Sequence, residues 1–433
     1  MIPISRYQRR RAQLAKSMGQ GIAVIPTALE QARNRDTHYL YRFDSYFYYL
    51  TGFVEPEAVV VVIAGRKPKS ILFCREKDMT REIWDGHRFG PKAAQKNFAF
   101  DAAYSIAKLD EMLPKLIADQ PVLHYPVGAN AEWDARILGW INQIKAQVRS
   151  GVTAPAEIQD ICTVLDQMRL IKDADELKVM RSAANIASDA HRRAMLTTRP
   201  GMMEYQVEAE LTHEFRHRGA QAPAYTSIVA GGPNACVLHY VENKARLNGG
   251  ELLLIDAGCE LDGYASDITR TFPVNGKFSA AQRDVYELVL AAQAKGIDAV
   301  KPNAPFEAYH DAALRVLARG MIDLKLCKGS VDKVIESGDY KQFYMHRTGH
   351  WLGLDVHDAG DYKKNGKSVK LAAGMVVTVE PGCYIRPAKN VPKSLWNIGI
   401  RIEDDVLVTT SGRDVLTNPP KTVGDIEQVM GGQ

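Results

Sequence analysis

"LLLIDAGCELDGYASDITRTF", Leu252–Phe272, is the stretch on which the reading of the second half of the chain turns. Asp262-Gly263 is a favoured two-residue hairpin turn. Closed that way, Leu261 faces Tyr264, Glu260 faces Ala265 and Gly258 faces Asp267. Asp256 then lies diagonally across from Asp267 on the same face, roughly 7–8 Å away at Cα. Gly258, opposite Asp267, leaves the volume between the two carboxylates empty. Capping by backbone amides accounts for Asp262 but not for Asp256, which ends an apolar run. Two carboxylates on one face stabilise a sheet poorly and make good ligands.

Two further carboxylates also end strands. Glu380 closes "MVVTVE" immediately before Pro381-Gly382. In "NIGIRIED", alternation puts Ile398, Ile400 and Ile402 on one face and Gly399, Arg401 and Glu403 on the other. Before them comes "YMHRTGHWLGLDVHDAG", residues 344–360, with His346, His350 and His357. Strict alternation separates His350 from His357, but Gly349 and Gly353 allow bends that return both to one cleft. One histidine with Asp256, Asp267, Glu380 and Glu403 is an oxygen-rich donor set. It suits hard divalent ions such as Mn²⁺ better than structural zinc. Four carboxylates held together repel, and two divalent cations cancel their charge, so a dinuclear site is expected.

The rest of the chain bounds the alternatives. At 433 residues it is long enough for about two domains. A net charge of +4 with no basic block gives no reason to expect a nucleic acid partner. The longest apolar run, "AVVVVIA" at Ala58–Ala64, is too short to span a bilayer and reads as a buried strand, so no membrane partner is expected. Six scattered cysteines without a C-x-x-C pair point to reduced thiols and a cytoplasmic protein. The basic stretch "SRYQRRRAQLAKSM" reads as a surface helix opening the first domain rather than as a presequence, because the strand-like "GIAVIP" comes directly after it.

Strand-like runs at Gly21–Pro26, Ala58–Ala64, Ser70–Cys74 and Pro121–Tyr125, with a helical run at Ala131–Val148, make the first part an α/β domain. "SGVTAPAEIQD", Ser150–Asp160, reads as a break, and the helical stretch from Lys172 opens the second domain. The expected domains are 1–171 and 172–433.

Two motifs mislead. "HEFRH", His213–His217, fits the H-E-x-x-H pattern of zinc peptidases. Arg216 inside it, Arg218 after it and an early Gly219 make it a solvated helix, so a zinc endopeptidase working through His213 and His217 is disfavoured. "GDYKKNGKS", Gly360–Ser368, has one residue too many between its glycines for a phosphate loop and reads as a lysine-rich surface loop.

With these residues assembled, the chain resembles the "pita-bread" metallopeptidases, and within them the bacterial-type aminopeptidases P. The ligand order of that family is two Asp, one His and two Glu, found here in "IDAG", "SDITRTF", "GHWLGLDVHD", "TVEPG" and "IRIED". "RNRDTHYLYRFDSYFYYLTGFVEPEAV" resembles the N-terminal domain of the same group. The resemblance implies an α/β (α+β) protein, an N-terminal α/β domain followed by a pita-bread catalytic domain. It also implies hydrolysis of the bond before a penultimate proline by water acidified between two divalent ions, most simply Mn²⁺. Asp267 and Glu403 would bridge the ions, with Asp256 on one and His350 and Glu380 on the other. Glu380 would shuttle protons, and His239, His346 and His357 would line the substrate site and take part in catalysis. Tyr384 and Arg401 would frame the proline, whose nitrogen carries no N–H. The resemblance further implies a homo-oligomer, dimer or tetramer, with Trp84 reaching a neighbouring subunit's site. Prolidase shares all five ligands and is the alternative. A metal-free peptide-binding relative should have lost ligands, and none is missing.

Overall fold

The apolar run at Val59–Ile63 forms a strand with neighbours on both sides, in a sheet ordered Ala102–Ser105, Lys69–Cys74, Val59–Ile63, Ile22–Pro26, Val122–Tyr125, Glu157–Asp160. This is the sheet of the first of two units, Met1–Arg169 and Leu170–Gln433, in a computed structural model that describes residues 2–431. Helices Leu109–Ile117 and Ala131–Lys145 cover one face through Leu113, Ile117, Ile137 and Ile141, against Ile22, Val24, Val59 and Val61. Two expectations change here. Residues Glu157–Asp160, within the stretch read as a break, pair in parallel with Val122–Tyr125 as an edge strand. All four are exposed, so no apolar alternation marks them. The opening helix Ile4–Met18 buries two of its arginines. Arg11 donates to the carbonyls of Leu50, Phe98 and Ala99, and burial lowers its pKa to about 10.

The second unit consists of two similar halves. In the first, helices Ala174–Thr197 and Glu204–His217 accompany a three-stranded antiparallel sheet with Leu252–Asp256 between Ile228–Gly231 and Thr269–Pro273. In the second, helices Ala280–Ala299 and Ala308–Asp323 accompany a sheet with Asp404–Val408 between Val376–Val379 and Arg413–Val415. Capping boxes start the first helix of each half, Asp173 with Glu176 and Ser279 with Gln282. Leu253, Ile255 and Phe272 of the first half share one core with Val285, Leu314, Ile398, Ile400 and Ile402 of the second.

The hairpin register follows the turn chemistry. Asp262 and Gly263 take φ of 48° and 81°, the left-handed pair that such a turn demands. Leu261 pairs with Tyr264, Glu260 with Ala265 and, in the same register, Asp256 with Thr269. The volume at Gly258 is not empty, however. A Cβ there would lie 1.7 Å from the Ser266 carbonyl oxygen, so glycine is needed for the strands to cross closely.

Candidate active site

Each half contributes one carboxylate at the end of a strand and one just before the strand that returns. Asp256 ends Leu252–Asp256 and Asp267 precedes Thr269–Pro273; Glu380 follows Val376–Val379 and Glu403 precedes Asp404–Val408. All four, with His350, line one chamber of about 810 Å³. Asp267, His350 and Glu403 each bring a donor atom within 4.8 Å of the others. His350 Nε2 lies 3.5 Å from Asp267 and 3.6 Å from Glu380. Its Nδ1 sits 2.9 Å from the Trp351 carbonyl, which makes Nδ1 the protonated nitrogen and turns the Nε2 lone pair inward.

The electrostatics of this cluster call for cations. Burial, then charged neighbours with Asp267 and Asp256 repelling, pushes Glu380 up to about 7. Glu403 and Asp267 rise too, Glu403 well above the usual range, from burial and from the other carboxylates. Burial opposes charge on His350, but Asp267 and Glu380 outweigh it and raise the ring to about 9. Buried carboxylates with one inward imidazole are the donor set of a hard divalent cation, so residues and metal fit.

Three groups brace the carboxylates, and only one of them, Arg401, is among the residues expected from the sequence. It is 3% exposed and lines the chamber, donating to Asp256 Oδ2 at 2.6 Å, to Tyr384 at 3.0 Å and to Thr269 Oγ1 at 3.1 Å. Tyr225 is not among them: its hydroxyl lies 2.6 Å from Asp256 Oδ1 and 2.5 Å from Asp267 Oδ1. Burial and those two charges hold the phenol well above its ordinary pKa, so it stays protonated. Thr269, the third, donates to Glu403 Oε2 at 2.7 Å. No motif marks Tyr225; a tyrosine in "APAYTS" carries no spacing signal.

The three histidines of residues 344–360 do converge, by a different route from the one expected. The segment is a loop, bridged to the sheet at Trp351 and Val377 and bonded along it by the amides of Leu352, Thr378 and Glu380. Gly349 and Gly353 do not take left-handed φ. They are close approaches, since a Cβ would meet the Thr378 carbonyl oxygen at 2.0 Å or Asp358 Oδ2 at 2.3 Å. His350 and His357 face each other with ring centroids 4.1 Å apart. His346 has both nitrogens engaged: Nδ1 donates to the Arg347 carbonyl at 2.7 Å, and Nε2 accepts from Tyr384 at 2.8 Å. Burial, then Arg401, lowers its pKa to about 3, so it is neutral. His239, His346 and His357 line the chamber. Tyr384 does not; it is fully buried behind His346 and Arg401.

The remaining candidates lie elsewhere. Trp84, on helix Met79–Asp85 of the first unit, is 81% exposed and lines no part of the chamber within this chain. His213 and His217 are exposed, and Glu214 between them is held by Arg218 at 2.6 Å, so the zinc-peptidase motif is a solvated helix face. Residues 360–368 form a largely exposed lysine hairpin around Asn365-Gly366, of which Tyr362 and Lys363 reach the chamber wall.

Residues 178–410 match the model of metallopeptidase family M24, and residues 7–124 match that of the aminopeptidase P N-terminal domain. The chain is 43% identical to a Xaa-Pro aminopeptidase of Haemophilus influenzae, over 99% of this chain and 98% of that relative. It is 42% identical to the Xaa-Pro aminopeptidase of Escherichia coli, over 99% of each. Its fold is similar to that of Pseudomonas aeruginosa aminopeptidase PepP, with a TM-score of 0.98 and 50% identity over 100% of this chain and 98% of the other. It is also similar to that of an Escherichia coli aminopeptidase P variant in complex with substrate, with a TM-score of 0.97 and 42% identity over 100% of this chain and 99% of the other. The chain belongs to metallopeptidase family M24, in its bacterial-type aminopeptidase P branch.

Proposed function

We propose that Asp256, Asp267, His350, Glu380 and Glu403 hold two divalent ions, manganese in the native enzyme, in a chamber that receives peptides with proline in second position. The chain is an aminopeptidase that hydrolyses the bond before that proline and releases the first residue. The observation that carries the metal assignment is the convergence of the five side chains on one wall of a chamber also lined by His239, His346 and His357. Asp267 and Glu403 would serve both ions, Asp256 one of them, and His350 with Glu380 the other. When bound, such a pair supplies Lewis-acid polarisation of the scissile carbonyl and lowers the pKa of attacking water.

The protein's own groups manage protons and position. Glu380, lifted to about 7, is suited to take a proton from attacking water and deliver it to the departing proline nitrogen. That nitrogen leaves as a secondary amine and needs the proton, since it carried none in the peptide. His346, with both nitrogens occupied, offers its ring as an apolar wall for the proline. Partial desolvation at the chamber wall, then His350 and His239, lowers the pKa of the solvent-accessible His357, so it donates a hydrogen bond to a substrate carbonyl rather than a charge. His239 is placed beside it for the same task. Arg401 fixes Asp256, and Tyr384 reaches the substrate only through His346 and Arg401.

The reading includes a homo-oligomer in the cytoplasm. All six cysteines are free and all but Cys162 are buried, which fits a reducing compartment. No helix among the described residues is long and apolar enough to cross a membrane. Met79, Ile83 and Trp84 are 68, 81 and 81% exposed on one helix, an apolar set that association would cover. Size-exclusion chromatography with light scattering tests it; a monomer at micromolar concentration removes it.

The deciding assay compares amino-acid release from Ala-Pro-Ala and Ala-Pro by metal-stripped protein reloaded with Mn²⁺. Fast release from the tripeptide and little from the dipeptide is expected. The reverse identifies a prolidase, and no release despite bound metal overturns the site.

A further inference from the structure

His357 packs against the His350 ring but, among the described residues, has no hydrogen bond to orient it. Its ring lies exposed at the chamber wall. A side chain that must meet a substrate to within a fraction of an ångström needs its backbone fixed, and its neighbour Asp358 is the fixed point. Asp358 Oδ2 accepts from Lys172 Nζ at 2.8 Å, and both side chains are 1% exposed. Asp358 Oδ1 accepts from the Asp355 amide at 3.2 Å, and the Asp358 amide donates to the Trp351 carbonyl at 2.9 Å, closing the loop on itself. The Gly353 carbonyl accepts from the Ala265 amide at 2.8 Å, tying the same loop to the hairpin of Asp256 and Asp267. Lys172 is itself held, its amide donating to the Gly374 carbonyl at 2.9 Å. Packing leaves little slack: a Cβ on Gly353 would meet Asp358 Oδ2 at 2.3 Å and Lys172 Cε at 3.0 Å.

We infer that Lys172 is a positioning residue for turnover, acting through Asp358 to aim His357 into the chamber. Two charges buried this deeply offset each other's desolvation, and removing Lys172 withdraws the cation that faces Asp358 Oδ2. The loop then shifts to bring Asp358 to water, and His357 moves with it. His350 is exempt, because its backbone is tied separately to strand Val376–Val379, its amide donating to Thr378 Oγ1 at 3.1 Å and its carbonyl accepting from the Thr378 amide at 3.0 Å. The pair therefore acts on substrate handling and leaves metal binding alone. This rests on the role proposed above for His357.

The test uses the full-length, Mn²⁺-loaded enzyme and Ala-Pro-Ala, with Lys172→Met, His357→Ala and the double variant. Lys172→Met is expected to lower kcat/KM about 10²-fold, mostly in kcat, with bound metal unchanged. On the His357→Ala background the same substitution should change kcat/KM by less than about threefold, since the group it aims is already gone. An equal loss on both backgrounds, or a Lys172→Met enzyme at the parental rate, overturns the inference. If Lys172→Met does not fold, Lys172→Gln with Asp358→Asn keeps a neutral hydrogen-bonding pair. That pair should retain kcat/KM to within about tenfold. Its remaining loss should vanish on the His357→Ala background, and a multiplied loss overturns the inference. An unimpaired His357→Ala enzyme overturns the role of His357 and this inference with it. An impaired His357→Ala enzyme with multiplying effects overturns the positioning alone.

Discussion

The two halves of the catalytic unit solve one problem with different side chains. Each ends a strand on one carboxylate and restarts the neighbouring strand just after another. The first uses aspartates joined by the tight Asp262-Gly263 hairpin. The second uses glutamates separated by the excursion Gly382–Ile385 and Ile398–Arg401. Tyr225 braces both aspartates within the first half, and the other braces cross between the halves. Arg401 of the second half grips Asp256 of the first, and Thr269 of the first donates to Glu403 of the second. The Asp267 amide donates to Asp405 across the same seam at 3.2 Å. The site is thus a property of the interface between halves, and each half holds the other's charges still.

Neutral isosteres at one carboxylate from each half are the strongest way to break this symmetry. Asp267→Asn and Glu403→Gln should each lower kcat on Ala-Pro-Ala by about 10³-fold or more, the scale of losing metal-ion catalysis. Metal analysis of the purified variants should show lost occupancy in both. If one keeps both metal and activity, the other half alone carries the site.

The braces come next in size. Arg401→Lys keeps the charge but loses the fork that reaches Asp256, Tyr384 and Thr269 together. A drop in kcat/KM of about 10²-fold is expected, with metal content retained. Thr269→Val removes one hydroxyl and should cost about 1–3 kcal/mol, up to about 10²-fold in kcat/KM. An unimpaired Arg401→Lys enzyme would mean that Arg401 acts as a bare charge.

Legibility from the sequence divides along the same seam. The first-half hairpin can be registered from Asp262-Gly263 alone, because two successive left-handed residues leave one favoured turn. Alternation in "NIGIRIED" likewise sends Ile398, Ile400 and Ile402 inward and Arg401 and Glu403 to the chamber. Residues acting across the seam leave no local trace. Asp405 and the Lys172–Asp358 pair, and Tyr225 within the first half, are identified by three-dimensional proximity, and no periodicity encodes that. The loop at 344–360 defeats alternation because it is not a strand. Gly349 answers to crowding by the Thr378 backbone and Gly353 to the Asp358 and Lys172 side chains, and local bending does not explain them.

The helices behind the two sheets sharpen the comparison through pH. In the first half His191, fully buried, donates from Nε2 to the Ala257 carbonyl at 2.9 Å. In the second, Gln293 donates to Asp404 at 2.8 Å. Glutamine does not titrate, whereas burial lowers His191 to about 4 from 6.5. Between these values the unfolded chain binds the proton more readily. Stability is therefore full above about pH 6.5, falls as pH drops and stops falling below about pH 4, by up to about 3 kcal/mol. Burial also lowers His310 and His346, which titrate in the same direction. His191→Gln should therefore flatten, without abolishing, the loss of urea midpoint between pH 7 and pH 5. An unchanged slope would mean that acid enters through the chamber histidines instead.

The smallest expected effect comes from the outer helices. Helix Ala308–Asp323 turns His310 to the chamber wall, where Nδ1 lies 2.8 Å from Thr348 Oγ1. Its counterpart Glu204–His217 turns His213 and His217 to solvent. Thr348 also bonds Tyr344, 2.6 Å away, beside the ring of His346. His310→Ala should therefore lower kcat/KM modestly, by about tenfold, the worth of one buried hydrogen bond. His213→Ala should leave both activity and bound metal within about twofold of the parent, as an exposed side chain usually does. The comparison matters because His213 belongs to the one sequence pattern that names a metallopeptidase outright. A loss of activity there would restore the zinc motif as the catalytic site and make the chamber a secondary one. Retained activity, with His310→Ala impaired, leaves the five chamber ligands to carry the chemistry.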